Sequence, residues 1–142
     1  MSNILVIHGA GIDMRGKTQI DIFGSETMED YNSTIIKYAE QLEFTVDIFH
    51  SNIEGEIINK LYEGQTTGKY VAAIINPAGF SLGYPALSAA ISQVEYPTIE
   101  VHISNPAKRG FNSDIATVCK GSITGLGLHG YYVAMKSILD LI

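Results

Sequence analysis

Cysteine, tryptophan and cationic side chains are scarce in this 142-residue chain, and each scarcity closes off a class of protein. The single cysteine, Cys119, excludes an internal disulfide framework and any zinc site built on paired cysteines, so the chain reads as cytoplasmic. Nine Lys+Arg stand against fifteen Asp+Glu, for a formal net charge of −6. Basic residues gather only at Arg15 with Lys17 and at Lys108-Arg109, so no nucleic-acid groove is expected. No apolar run approaches the roughly 18 residues of a membrane helix, and Ile4-Leu5-Val6-Ile7 is too short for a signal-peptide core, so no membrane partner is expected. Charged residues are only 17% of the chain and apolar residues 46%, which excludes intrinsic disorder and supplies one sizeable core.

What is present is a succession of short apolar runs and longer helical patterns. Asn3–His8, Thr45–His50, Val71–Asn76, Thr98–Ile103 and Gly121–Thr124 read as strands. Their hydrophobicity is continuous rather than alternating, as in strands covered on both faces, which favours a parallel sheet. Thr27-Met28-Glu29-Asp30 reads as a capping box ahead of Tyr31, Ile35, Tyr38, Ala39 and Leu42 at helical spacing. Ser51-Asn52-Ile53-Glu54 repeats the capping pattern, Pro85 suits a first helical turn, and a last helix begins near Gly130. The order predicts an α/β fold, a flavodoxin-like three-layer αβα sandwich on a five-stranded parallel sheet, as one domain over residues 1–142.

In such sheets ligands sit outside the carboxyl ends of the strands. The first strand delivers His8 there, the second His50, the third Asn76-Pro77, and the fourth Glu100-Val101-His102-Ile103-Ser104-Asn105. The connection from Ala10 to Glu26 is long and carries Gly11, Asp13, Arg15, Gly16 and Lys17, which suits a lid or binding loop.

Four segments together carry a resemblance: Ser51-Asn52-Ile53-Glu54-Gly55-Glu56, Ile75-Asn76-Pro77, Glu100-Val101-His102-Ile103-Ser104-Asn105 and Gly125-Leu126-Gly127-Leu128-His129-Gly130-Tyr131. In this register the chain resembles the type II 3-dehydroquinate dehydratases along its whole length. The resemblance implies a flavodoxin-like fold, a homo-oligomer (a trimer, or trimers stacked into a dodecamer), a small-molecule carboxylate substrate, and neither metal nor cofactor. One half of the family's site is matched: Asn76, the Glu100–His102 pair and the Ile103-Ser104 carboxylate-binding turn.

The other half departs from the pattern. Where the family reads Asn-Gly-Pro-Asn-Leu, Leu-Gly-x-Arg and Tyr-Gly, this chain has His8-Gly9-Ala10-Gly11-Ile12, Arg15-Gly16-Lys17-Thr18 and Phe23-Gly24. The lid arginine thus corresponds to Thr18, the proton-abstracting tyrosine to Phe23, and the asparagine that holds an enolate-stabilising water to Gly11. The family's His and Asp after the third strand are replaced within Ser81–Ala89, and the arginine that grips the ring hydroxyls falls on Asn112.

Eliminating water beta to a ketone needs a base, enolate stabilisation and an acid for the leaving hydroxide. His102 supplies the acid, and Glu100, two residues earlier on the same strand face, fixes its tautomer. The Ile103 and Ser104 amides with the Ser104 hydroxyl make a carboxylate cradle. Phenylalanine cannot serve as base, and a general base is worth about 10²- to 10⁴-fold in rate. His8 or Tyr84 is the expected replacement base, Arg15 or Lys17 the replacement lid charge, and Tyr84 and Arg109 further substrate contacts. These departures favour a lyase or isomerase-type enzyme acting on an oxo- or hydroxy-carboxylate other than dehydroquinate. A true 3-dehydroquinate dehydratase with a displaced base and a non-catalytic oligomeric scaffold are the alternatives.

Other motifs read as structural. Gly125–Gly130 satisfies GxGxxG but opens the last helix, where tight packing explains the glycines. Asn32-Ser33-Thr34 matches a glycosylation acceptor but lies in a helix, and Cys119 shows no sign of activation.

Overall fold

A computed structural model describes residues 1–142. Five parallel strands, β1 (Ser2–Ala10), β2 (Phe44–His50), β3 (Ala72–Ala78), β4 (Thr98–His102) and β5 (Gly121–Thr124), form one sheet in the order β2-β1-β3-β4-β5. The helices are α1 (Ile20–Phe23), α2 (Met28–Gln41), α3 (Glu54–Thr67), α4 (Pro85–Gln93) and α5 (His129–Leu141). The expected α/β class and flavodoxin-like strand order are both present.

The continuous apolar runs have a simple cause. Alternate residues of β1 and β3 feed two cores: Ile4, Val6, Ala72 and Ile74 pack under α2 and α5. Leu5, Ile7, Ala73 and Ile75 pack under α3 and α4 on the opposite face. A strand covered on both faces has no solvent side, so no polar alternation survives.

Helix starts follow the capping chemistry in one case and depart from it in the other. At Thr27 the side chain accepts from the Asp30 amide at 3.2 Å while the Asp30 carboxylate accepts from the Thr27 amide at 2.9 Å, a complete capping box. The second predicted box does not form. Ile53 occupies the cap of α3 without a side-chain bond, and Ser51 instead accepts from the Ile53 amide at 2.9 Å and donates to the Glu56 carboxylate. Glu54 is drawn away to accept from the Leu87 amide at the start of α4. At Gly130 an added Cβ would lie 3.2 Å from Val101 Cγ1, so that glycine serves helix-on-strand packing as expected.

The Ala10–Glu26 connection is less open than its length suggests. It contains a 3₁₀ turn (Ile12–Met14) and α1, and Ile12 is buried in the core beneath α2. Gly11, at φ 91°, donates its amide to Asn52 at 2.9 Å, and Asn52 donates to Asp13 at 3.2 Å. His50 stands 3.7 Å from the same Asp13, so the end of β2 anchors the connection. No helix is long and apolar enough to cross a membrane.

Candidate active site

The strand order reverses between β1 and β3, and a cleft of about 400 Å³ opens beside that point at the strands' carboxyl ends. The backbones there are very close. A Cβ on Gly9 would lie 2.1 Å from the Pro77 carbonyl oxygen, which explains glycine where β1 passes β3. Beyond that crossing Ala78 takes φ 47° and, on the far wall, Gln19 takes φ 51°. Both line the cleft, and left-handed backbone outside glycine is a strained conformation that concentrates at functional sites.

One wall comes from β3 and β4. Asn76 and His102 are almost fully buried and line the cleft together with Ile103 and Ser104. His102 Nε2 stands 2.9 Å from Glu100 Oε2. The parallel register sets Ser122 of β5 beside Glu100, and its hydroxyl donates to Glu100 Oε1 at 2.7 Å. Burial works against the Glu100 charge, yet hydrogen bonding from His102, Ser113 and Ser122 outweighs it and holds the carboxyl below its ordinary value. Asn76 donates to the Tyr131 hydroxyl at 3.4 Å, which orients its amide.

The opposite wall comes from the β1–α2 connection, with Gly11, Met14, Arg15, Thr18, Gln19 and Phe23. The Arg15 guanidinium lies over the Phe23 ring, 3.5 Å from its centre. Arg109 closes the cleft from beyond β4, donating from Nη1 to Ser104 Oγ at 2.7 Å.

The structure therefore gathers His102, Asn76, Ile103, Ser104, Arg15 and Arg109 at one cleft, with Glu100 directly behind His102. Two residues expected there lie elsewhere. His8 is fully buried beneath the sheet ends: its Nε2 donates to Asn32 Oδ1 at 2.8 Å and its ring packs edge-on to Tyr31 and Tyr131. Burial first, and the nearby His50 as well, lower its pKa to about 4 against the Asn32 bond. It neither borders the cleft nor reaches a ligand as base. The reason is strand geometry: β1 runs on to Ala10, so position 8 is inside the sheet rather than at its lip. Tyr84 caps α4 and packs on Phe80 at 4.9 Å between ring centres, away from the cleft. Lys17 is exposed and outside the lining.

Sequence reading passed over Ser122, Gln19 and Phe111. Ser122 was findable, since a parallel partner of Glu100 shares its side of the sheet. Gln19 and Phe111 sit in irregular segments whose path no periodicity reports.

Three comparisons bear on the ancestry of this site. The family described as Dehydroquinase class II matches residues 2–139. A 3-dehydroquinate dehydratase of Halothermothrix orenii is 39% identical over 145 residues, covering 100% of this chain and 97% of that one. One of Bacillus licheniformis is 36% identical over 143 residues, covering 99% and 97%. Among solved structures, the type II dehydroquinase from Butyrivibrio crossotus superposes with a TM-score of 0.92 at 33% identity, covering 97% of each chain. The fold and these full-length similarities agree: this chain belongs to the class II dehydroquinase family.

Proposed function

We propose that the protein is a carbon–oxygen lyase of the 3-dehydroquinate dehydratase type, which eliminates water from a small β-hydroxy ketone bearing a carboxylate. The observation that carries this reading is His102, backed at 2.9 Å by Glu100, at the floor of a cleft beside the Ile103–Ser104 turn. The substrate carboxylate binds the Ile103 and Ser104 amides and the Ser104 hydroxyl, which presents the leaving hydroxyl to His102. Solvent water takes the proton from the carbon next to the ketone, the C–H electron pair becomes the C=C bond, and the C–O bond breaks. His102 delivers a proton to the departing hydroxide, so water is released, and Glu100 steadies the imidazolium before transfer.

This shifts the balance of the sequence reading toward its alternative of a true 3-dehydroquinate dehydratase. Relatives 36–39% identical along the whole chain carry the dehydratase name, which supports 3-dehydroquinate as the reference substrate. Neither His8 nor Tyr84 is the displaced base, and the cleft lining holds no carboxylate or phenol. Proton removal is then the slow step, and turnover falls about 10²- to 10⁴-fold for want of a general base. The assay is spectrophotometric appearance of the conjugated enone from 3-dehydroquinate, with measurable but slow turnover expected. No turnover above a heat-killed control would overturn the reading for this substrate.

A second reading rests on Phe23. A ring covered by Arg15 where the family has a phenol favours a carboxylate other than dehydroquinate, acted on by the same acid. A trimeric or dodecameric assembly and a single-domain chain belong to the same proposal, and sedimentation velocity measures the assembly directly.

A further inference from the structure

The cleft is cationic in an anionic chain. The protein carries fifteen acidic residues, yet none of them lines the cleft, whereas Arg15, Arg109 and His102 all do. Neither arginine forms a salt bridge with any carboxylate, while Lys60 and Lys69 both do.

The two guanidiniums are held close together by one ring. Arg15 lies 3.5 Å and Arg109 5.4 Å from the centre of Phe23, and Arg109 is also 5.4 Å from Phe111. Aromatic faces hold guanidiniums without consuming their in-plane donors, so Arg15 Nε and the donors that Arg109 does not spend on Ser104 stay available to a ligand. Arg15 Nε is buried without any acceptor. A buried, unpaired guanidinium donor is costly, and two like charges around one ring add repulsion. Both costs fall when an anion enters.

Arg109 also links this group to the first carboxylate position. Its Nη1 donates to Ser104 Oγ at 2.7 Å, which leaves the Ser104 proton free to point at a ligand bound on the turn. Thus one anion position lies at Ile103–Ser104 and a second lies at Arg15 across the cleft. The cavity of about 400 Å³ holds a small ring or a short chain between them.

We propose that Arg15 and Arg109, gathered on Phe23, form a second anion subsite, so that the preferred substrate is a dianion. It would carry a carboxylate at the Ile103–Ser104 turn and a second carboxylate or a phosphate group at Arg15. This rests on the Proposed function only in taking that turn as the first carboxylate's seat. It also accounts for the expected weakness of 3-dehydroquinate, a monoanion that leaves Arg15 unpaired. Carboxylate and phosphate share the bidentate chemistry that a guanidinium recognises.

The test is isothermal titration of the full chain with benzoate, isophthalate and 3-phosphonobenzoate, which separates one anion from two and carboxylate from phosphonate. At least one of the two larger ligands is expected to bind tenfold or more tighter than benzoate, and the tighter of them names the second group. R15Q is expected to erase most of that preference while changing benzoate affinity less than about threefold. Circular dichroism checks its fold, and the comparison on the unsubstituted chain stands even where R15Q does not fold. Equal affinity for all three ligands would overturn the proposal. So would equal affinity combined with a kcat loss in R15Q, which assigns Arg15 to transition-state charge instead. Dianion preference without 3-dehydroquinate turnover would sink the reaction and keep the subsite, and turnover without the preference would do the reverse.

Discussion

The two walls of the cleft face one another but are built under different constraints. The β3–β4 wall lies inside the sheet. Glu100 pairs in register with Ile75 on one side and Ser122 on the other, and it is fully buried. Losing His102 or Ser122 would leave that carboxylate short of partners in a low-dielectric interior, a change of several kcal/mol. The opposite wall hangs from the β1–α2 connection, where Met14, Thr18 and Gln19 are exposed and Gly11, Gly16, Gln19 and Gly24 have positive φ. Side chains there can change with small effect on folding. The lesson is that a buried, hydrogen-bonded carboxylate ties its wall to the fold, whereas solvent-facing loop side chains do not.

The sharpest way to break this comparison is to remove the acid. H102A is expected to lower kcat for dehydration about 10²- to 10⁴-fold with a smaller change in KM, measured by steady-state enone formation. An unchanged kcat would take proton donation away from His102 and leave its pairing with Glu100 a packing feature. The complementary change restores the phenol on the loop wall. F23Y is expected to raise kcat about 10²-fold, the low end of general-base effects, and no rise would show that Arg15 or Arg109 has altered more than the missing base.

A third test asks whether β1 belongs to the rigid wall. His8 is neutral when folded because burial lowers its pKa to about 4, against 6.5 when exposed. Its folded pKa is the lower one, so the unfolded chain binds the proton first. Stability from His8 is therefore full above pH 6.5 and is lost as pH falls toward 4, by up to about 3 kcal/mol. H8Q should flatten urea midpoints over that window. The Glu100 carboxyl, also held below its ordinary value, weakens the fold only at lower pH, as it too becomes protonated. The smallest effect is at the far end of the loop wall. T27A is expected to cost about 1 kcal/mol through loss of the cap on α2, read from the thermal midpoint, with catalysis unchanged.

Much of the cleft's floor could be read from sequence because strand spacing converts directly into geometry. Glu100 and His102 share a face by a period of two, and Ile103-Ser104 must follow at the strand's end. His8 was misjudged for the same reason in reverse: one further turn of the period, to Ala10, carries the strand past it. Tyr84 was misjudged because the helix cap it occupies turns its ring onto Phe80.

Local sequence carries the layer order, the five strands, the double coverage of the sheet and the shared face of Glu100 and His102. All of these follow from local periodicity, which is written residue by residue. Which irregular segments meet depends on the folded chain: Arg109 reaches the Phe23 ring that Arg15 also covers, and Ser122 supports Glu100. Loops carry no period, and the positions of their side chains depend on the anchors that the folded sheet provides, such as Asn52 beneath Gly11.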